Sequence, residues 1–169
     1  INELKIKKKL IAFDSFQGFN FINKKDKSTR RIRKNDWSSS PKAQFKYNEQ
    51  SLKKVIDKHI YKNNFKKVIF IKGYVEETLP SYIKSIKSIS FINLDLDLYS
   101  GHKTVLENTF EKLSKNGIIY FDDVMPDVKL KNSPFPGAYL SFKEFFKNKK
   151  KKIKTFTCKL RGNLIIQKI

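Results

Sequence analysis

The sequence predicts an α/β fold, in which a mostly parallel sheet is covered by helices on both faces and closed by an antiparallel hairpin. Short apolar runs typical of buried strands alternate with stretches of helical periodicity along the chain. Two of the apolar runs end in pairs of aspartates, and two strand-like runs joined by a glycine-containing turn close the chain. The 169 residues are enough for one domain with a hydrophobic core.

The chain begins with a short predicted strand. Leu10 to Phe13 is an apolar run with Asp14 at its tip, followed by a turn through Ser15. A carboxylate at the end of a buried strand is the usual partner of a ribose diol, although many exposed strand ends also carry aspartate. Residues Phe19 to Lys46 lack a clean period, and we interpret them as a flap or insertion.

Helix and strand patterns then alternate up to the centre of the chain. We predict a helix over Gln50–Tyr61, a strand over Val68–Lys72 that Gly73 ends, a short helix after Glu76–Pro80, and a strand over Ser90–Asp95.

The remaining elements follow the same alternation. Ser100 and Gly101 open a helix whose apolar stripe continues to Leu113, and Gly117 is expected to end it. We expect His102 to be an exposed histidine at the start of this helix. The elements after it are a strand over Ile118–Phe121, a helix over Tyr139–Lys147, and a hairpin of Lys154–Leu160 with Leu164–Lys168.

Four aspartates follow two neighbouring predicted strands. Asp95 and Asp97 come directly after one apolar run, and Asp122 and Asp123 after the next. The carboxyl ends of parallel strands meet at one edge of a sheet, and carboxylates held that close repel each other unless a cation lies between them. We therefore predict a hard-metal site here. Helix capping, for which aspartate is well suited, is the structural alternative.

Composition narrows the partners that we expect. The formal net charge is +21, but Arg30, Arg31, Arg33 and Arg161 are the only arginines, whereas readers of phosphates and bases favour arginine. We interpret the charge as a solvated lysine surface and do not expect nucleic acid as a partner. The single cysteine, the lack of an apolar stretch of ~20 residues and the lack of a visible signal peptide lead us to expect a cytoplasmic protein.

Four motifs in order resemble the macrocin O-methyltransferase family. They are Phe13-Asp14-Ser15-Phe16-Gln17-Gly18, Lys72-Gly73-Tyr74-Val75-Glu76-Glu77-Thr78-Leu79-Pro80, Leu94-Asp95-Leu96-Asp97-Leu98-Tyr99 and Gly117-Ile118-Ile119-Tyr120-Phe121-Asp122-Asp123. The resemblance runs from about Leu10 to the end. It implies a Rossmann-like class I methyltransferase fold, a three-layer sandwich, and an enzyme that depends on S-adenosylmethionine.

The resemblance also implies a role for each matching position. The residues that it places at S-adenosylmethionine are Asp14 and Ser15 at the ribose and Gly73 and Tyr74 near the adenine. The residues that it assigns to Mg²⁺ are Asp95, Asp122 and Asp123. Asp97 would be the general base that takes the proton from an acceptor hydroxyl, which agrees with the chemistry of carboxylates and Mg²⁺.

One departure from the family concerns the glycine-rich turn that holds the methionine part of the cofactor. That turn should lie upstream of Asp14, yet the sequence has no glycine before Gly18. We expect the first strand, its glycine-rich loop and the following helix to be missing, so that residues 1–169 form a partial, N-terminally truncated methyltransferase domain. Since that strand lies between those ending at Asp14 and Asp95, we also expect a gap within the sheet.

Other functions stay open at this point. Asp95-Leu96-Asp97 is also a DxD pattern, which chelates a divalent ion on the diphosphate of a nucleotide sugar in glycosyltransferases. A lysine-rich, non-enzymatic module that binds nucleic acid is a further alternative, and it predicts a steep loss of affinity with salt. For a methyltransferase the resemblance implies a sugar-type, small-molecule acceptor. Such enzymes often self-associate, which leaves a homo-oligomer open.

Overall fold

The computed structural model describes residues 8–37, 50–52, 54, 58 and 68–169. The chain divides into two compact units. The first comprises residues 1–20 and 34–78, and the second comprises residues 21–33 and 79–169. Residues 50–52, 54 and 58 of the helix predicted over Gln50–Tyr61 are helical. The rest of that helix and part of the expected flap over Phe19–Lys46 lie outside the described residues.

The first unit contains a two-stranded parallel sheet. β1 (Leu10–Asp14) pairs with β2 (Val68–Lys72) in register, so that Asp14 lies opposite Lys72. Helix α1 (Val75–Tyr82) begins directly after β2, and the boundary between the units falls within it. Both predicted strands are confirmed, and they bring their carboxyl ends to the same edge.

The second unit contains a four-stranded mixed sheet with the order β3-β4-β6-β5. Its strands are β3 (Ile89–Leu94), β4 (Leu113–Phe121), β5 (Ile153–Thr157) and β6 (Leu164–Lys168). The first two are parallel, and the last two form the predicted antiparallel hairpin. The described strands form two sheets, one in each unit. The gap expected within a single sheet stays a prediction.

Two longer helices pack against this sheet. They are α2 (Tyr99–Thr109) and α3 (Pro136–Phe146). Their contact is aromatic: the Phe110 ring lies 5.1 Å from that of Phe146 and 5.6 Å from that of Phe145, both edge-on. Phe110 is completely buried. Phe110 and Phe146 are therefore part of the core of this unit.

The structure corrects two predicted helix boundaries. Gly117 does not end α2, because α2 ends at Thr109 and Gly117 lies inside β4. The register of β3 and β4 shifts between Ile89 and Phe91, and a Cβ on Gly117 would lie 2.8 Å from the Ser114 carbonyl oxygen. Gly117 therefore permits a close backbone approach at a β-bulge. The short helix predicted after Glu76–Pro80 instead includes those residues.

Within the described residues, no helix is both long and apolar enough to cross a bilayer.

Candidate active site

The ends of β3 and β4 place the predicted acidic residues side by side. Leu94 and Phe121 are the last residues of the two strands and lie opposite each other in the parallel register. Both are buried, and the Asp122 amide donates to the Leu94 carbonyl oxygen at 3.0 Å. The burial of Leu94 and Phe121 holds the last residue of each strand in the core. The carboxylates of Asp95 and Asp122 belong to the residues that follow directly in sequence.

Three carboxylates converge at this edge. One oxygen from each of Asp95, Asp97 and Asp123 lies within 4.8 Å of the other two. Asp97 has a φ of +60°, the left-handed region that residues other than glycine rarely adopt, although aspartate tolerates it better than most. Backbone strain of this kind gathers at functional sites, where the surrounding structure maintains it.

The electrostatics of the cluster reflect the crowding of negative charge. Burial, together with repulsion from Asp123, raises the pKa of Asp97 to about 9. Partial loss of hydration and repulsion from Asp123 and Asp122 also raise the pKa of Asp95. Without a cation, therefore, Asp97 holds a proton at neutral pH.

Asp123 behaves in the opposite way because it receives hydrogen bonds. Burial opposes its ionisation, but the His102 imidazole and the backbone amide of Asp97 outweigh that effect and lower its pKa. The Asp97 amide donates to Oδ2 of Asp123 at 2.8 Å, and Nε2 of His102 lies 3.2 Å from the same oxygen. Asp123 is thus held ionised and in a fixed orientation.

The expectation that His102 is exposed was wrong. Its side chain is completely buried, and the ring stacks on Phe121 with centroids 6.2 Å apart. Among the described residues, Nδ1 finds no hydrogen-bond partner. The sequence did carry a signal: His102 lies one turn before Leu106 and Val105 on the apolar stripe of α2, so the period that predicted the helix also predicted a buried position.

Asp122 points to another partner. Its Oδ1 lies 3.1 Å from Nη1 of Arg161, in the turn between β5 and β6, and it is not one of the three clustered carboxylates. The same turn is tied to the end of β4 by the Asn163 side chain, which donates to the Asp122 carbonyl, and by the Leu164 amide, which donates to Val124. The structure thus brings together Asp95 and Asp123 of the predicted metal ligands, adds Asp97, and pairs Asp122 with an arginine.

The cluster fits a hard divalent cation. Mg²⁺ prefers carboxylate oxygens and keeps several of its waters, which three converging carboxylates allow. Burial and mutual repulsion both raise the pKa values of Asp95 and Asp97, and a cation between the carboxylates would relieve the repulsion.

Asp26 fixes the start of the helix that follows Asp97. Its buried carboxylate accepts from the Tyr99 amide through Oδ1 and from the Asn23 amide through Oδ2, each at 2.8 Å. It therefore caps α2, which has no side-chain cap of its own at Leu98. Sequence analysis gave Asp26 no role, although Asn23 and Asp26 have the spacing of a capping box.

The four predicted cofactor-binding residues meet in the first unit. The Gly73 amide donates to the Asp14 carbonyl oxygen at 3.0 Å, and the Tyr74 hydroxyl lies 3.4 Å from the Gln17 side chain in the turn after Ser15. Asp14 accepts from the Phe16 amide at 2.7 Å. Gly73 has a φ of +137°, and a Cβ there would lie 2.7 Å from Thr78 Cγ2, so only glycine fits this turn.

The family comparison agrees with this geometry. The family model described as macrocin-O-methyltransferase (TylF) matches residues 2–135. That stretch includes every predicted site residue and ends before α3. A comparison with curated proteins gives no match.

Solved methyltransferases share the fold. The O-methyltransferase NovP is 18% identical with a TM-score of 0.71, and the match covers 98% of this chain and 62% of NovP. The calicheamicin methyltransferase CalS11 is 23% identical with a TM-score of 0.67, covering 95% of this chain and 60% of CalS11. An apo structure of CalS11, described as a TDP-rhamnose 3'-O-methyltransferase, has a TM-score of 0.60 and 21% identity, covering 95% of this chain and 57% of that one. The chain thus spans about three fifths of the length of these structures, and at such identities the likeness shows the fold alone.

Proposed function

Because this chain belongs to the macrocin O-methyltransferase family, we propose that it transfers a methyl group from S-adenosylmethionine to a sugar hydroxyl with the help of Mg²⁺. The observation that carries the proposal is the convergence of Asp95, Asp97 and Asp123, with oxygens within 4.8 Å of one another, at the carboxyl ends of two parallel strands. A helix-capping role would not require three carboxylates to approach one another against their mutual repulsion.

Asp95 and Asp123 are the residues that we propose hold the metal. Asp123 is suited to this because His102 and the Asp97 amide keep it ionised and oriented. When bound, Mg²⁺ would bring together neighbouring hydroxyls of the acceptor and lower the pKa of the one to be methylated. The resemblance also assigned Asp122 to the metal, but Asp122 pairs with Arg161. We therefore propose that Asp122 does not bind the metal directly and instead helps to hold the end of β4 in position.

Asp97 is the residue that we propose accepts the proton. Positive charge close to Asp97 would stabilise its ionised form and make a carboxylate oxygen available as a base. The backbone of Asp97 is in the left-handed region, unlike that of its sequence neighbours. Its amide donates a hydrogen bond to Asp123, which fixes the position of the residue. The proton that leaves the acceptor hydroxyl would thus pass to Asp97 as the oxygen attacks the methyl carbon.

The first unit supplies the proposed cofactor-binding residues. Asp14 and Ser15 would hold the ribose hydroxyls of S-adenosylmethionine, and Gly73 and Tyr74 would lie at its adenine. The Gly73 amide and the Tyr74 hydroxyl join this turn to the end of β1 and the turn after it, which supports one shared binding surface. Gly73 itself allows the turn to pack closely against Thr78. S-adenosylmethionine, when bound, supplies the methyl group.

We predicted a flap over Phe19–Lys46, and residues 21–33 of it belong to the second unit. These residues would contact the acceptor. Arg30 supports this assignment, because its guanidinium lies 5.1 Å over the Phe135 ring and its charge favours the ionised form of Asp97. A sugar-type acceptor is consistent with the solved neighbours, one of which is described as a TDP-rhamnose 3'-O-methyltransferase.

A ligand comparison by thermal shift tests this proposal against the DxD glycosyltransferase alternative. S-adenosylhomocysteine should raise the Tm of the protein, since ligands that bind the folded state stabilise it. UDP with Mg²⁺ should leave the Tm unchanged. Gly73→Ala should abolish the shift by S-adenosylhomocysteine, whereas Gly162→Ala, in the β5–β6 turn, should not. A Mg²⁺-dependent shift by UDP with no response to S-adenosylhomocysteine would favour the glycosyltransferase.

A further inference from the structure

The edge of the second sheet opposite the carboxylates is assembled from four segments of the chain. They are residues 83–89, 110–116, 147–153 and 168–169. Lys112 Nζ donates to the Ile86 carbonyl at 2.6 Å, and Lys168 Nζ donates to the Phe110 carbonyl at 2.9 Å. The Ile169 amide donates to the Lys152 carbonyl at 2.9 Å. These contacts place the four segments side by side, and we call them the lysine edge.

The lysine edge concentrates positive charge. Its lysines are Lys84, Lys87, Lys112, Lys115, Lys147, Lys149, Lys150, Lys151, Lys152 and Lys168, and its one acidic side chain is Glu111. Seven of these ten lysines are exposed. Within the edge, Lys152 Nζ lies 3.9 Å from Glu111 Oε1. Outside it, Lys25 lies 2.6 Å from Glu144 and Lys103 lies 3.8 Å from Glu107. A lysine-rich composition alone does not account for this segregation.

We propose that the lysine edge docks the protein on an anionic membrane surface. Clusters of lysines at a protein surface are attracted by the diffuse negative charge of acidic lipids, and the attraction grows with each lysine. The edge has ten lysines in four short segments, which exceeds the number that such recognition needs. The proposal concerns a surface away from the carboxylates and does not rest on the proposed reaction.

Two features favour a membrane over nucleic acid. The edge contains no arginine, the residue whose planar fork recognises phosphates in a fixed geometry. Its one aromatic ring, that of Phe110, is also completely buried. Bases of a single strand need exposed rings on which to stack. The lysine edge instead presents ammonium groups on flexible side chains, which suit the diffuse negative charge of a lipid surface.

The charge distribution also sets an orientation. Asp95, Asp97 and Asp123 follow the carboxyl ends of β3 and β4, whereas the lysine edge lies at the amino ends of the same strands. A negatively charged surface would attract one end of the sheet and repel the other. Docking through the lysine edge therefore leaves the carboxylate cluster facing the aqueous phase.

Vesicle sedimentation of the 169-residue chain tests the proposal. One variant combines Lys147→Gln, Lys150→Gln, Lys151→Gln and Lys152→Gln. A control combines Lys129→Gln, Lys131→Gln, Lys143→Gln and Lys159→Gln, which are exposed lysines outside the edge. Both lose the same charge. Binding to vesicles of phosphatidylcholine with phosphatidylglycerol should weaken at least about tenfold in the edge variant and less than about threefold in the control.

The outcomes separate the possible partners. The wild-type protein should leave pure phosphatidylcholine vesicles unbound and should be released from the mixed vesicles by high salt. Equal weakening in both variants would overturn the proposal, because net charge alone would then account for binding. A second result would also overturn the proposal. In it, single-stranded RNA binds the wild type and binds the edge variant more weakly, while the mixed vesicles bind neither protein.

Discussion

At the residue scale, Asp97 combines a strained backbone, partial burial and close acidic neighbours. Its φ is +60°, and burial with repulsion from Asp123 raises its pKa to about 9. In the absence of a cation, each of these features costs free energy. A nearby positive charge would reduce the repulsion between Asp97 and its acidic neighbours and favour the ionised carboxylate. This combination distinguishes Asp97 from Asp95, which shares the same edge of the sheet.

Asp97→Asn should lower the rate of methyl transfer by about 10²–10⁴-fold, because general-base catalysis contributes in that range. Asparagine also tolerates the left-handed backbone region, so the fold should be retained. Initial rates with labelled S-adenosylmethionine and a sugar acceptor measure the effect. Asp127→Asn, on the exposed loop after β4, is the matched control and should have the wild-type rate. A rate unchanged in Asp97→Asn would remove Asp97 from the mechanism.

The raised pKa of Asp97 also predicts how stability depends on pH. Between an unfolded-state pKa of about 3.9 and the folded value of about 9, the folded state holds a proton that the unfolded state has lost. The free energy of unfolding therefore falls as pH rises through this range, by up to about 1.4 kcal/mol per pH unit. In EDTA, the Tm of Asp97→Asn relative to wild type should rise from pH 6 to pH 8.5. A difference that stays constant with pH would contradict the assignment.

His102 is expected to act on the metal site through Asp123. His102→Phe keeps the ring against Phe121 but removes the donor to Asp123 Oδ2. Loss of such a supporting hydrogen bond typically weakens metal affinity by about 10–100-fold. Calorimetric titration with Mg²⁺ measures it. His102→Gln, which retains a donor, should recover part of the affinity, and full Mg²⁺ affinity in His102→Phe would show that His102 only fills space.

At the element scale, a short 3₁₀ helix holds the start of α2 in place. The helix Lys24–Asp26 presents Asp26 to the Tyr99 amide, while Lys25 Nζ lies 2.6 Å from Glu144 of α3. Gly137 of α3 completes the arrangement, since a Cβ there would lie 1.8 Å from Asp26 Oδ1. The loop carrying Asp97 therefore ends at a helix whose first amide is fixed by a residue distant in sequence.

A double-mutant cycle between Asp26→Ala and Gly137→Ala should reveal this coupling. Asp26→Ala leaves the buried Tyr99 amide and the half-buried Asn23 amide without an acceptor and should lower the free energy of unfolding by about 1–3 kcal/mol. Gly137→Ala should be destabilising because its Cβ displaces the Asp26 carboxylate. The double variant should cost less than the sum of the two, since the obstructing carboxylate is then absent. Strict additivity in denaturant unfolding would refute the contact.

Sequence patterns predicted the elements better than their ends. Strands β1 to β6 all overlap the apolar runs that predicted them, because burial on the sheet requires such runs, but β4 begins at Leu113, in a stretch predicted to be helical. The prediction that Gly117 ends α2 was wrong, because glycine is common both at helix ends and at β-bulges. Which of the two forms depends on the neighbouring strand. The pairing of Asp122 with Arg161 depends on a hairpin 39 residues away, which no local pattern records.

At the scale of the whole molecule, the net charge of +21 hides an uneven distribution. Composition predicted a lysine-rich surface but could not show that acids gather at one end of the second sheet and lysines at the other, since that depends on strand order. The same topology explains why the convergence of carboxylates could be predicted from sequence. Parallel neighbours bring their carboxyl ends together, so two acidic pairs after two apolar runs already imply convergence.

We propose above all that Asp95 and Asp123 hold one Mg²⁺ with Asp97 beside it, and calorimetric titration of the metal-free protein tests this most directly. We predict one Mg²⁺ per chain, with binding abolished in Asp95→Asn and Asp123→Asn and unchanged in Asp127→Asn. Binding should also release protons above neutral pH, because Asp97 holds one in the metal-free state. Absence of Mg²⁺ binding by the wild-type protein, or equal binding by all the variants, would contradict the account.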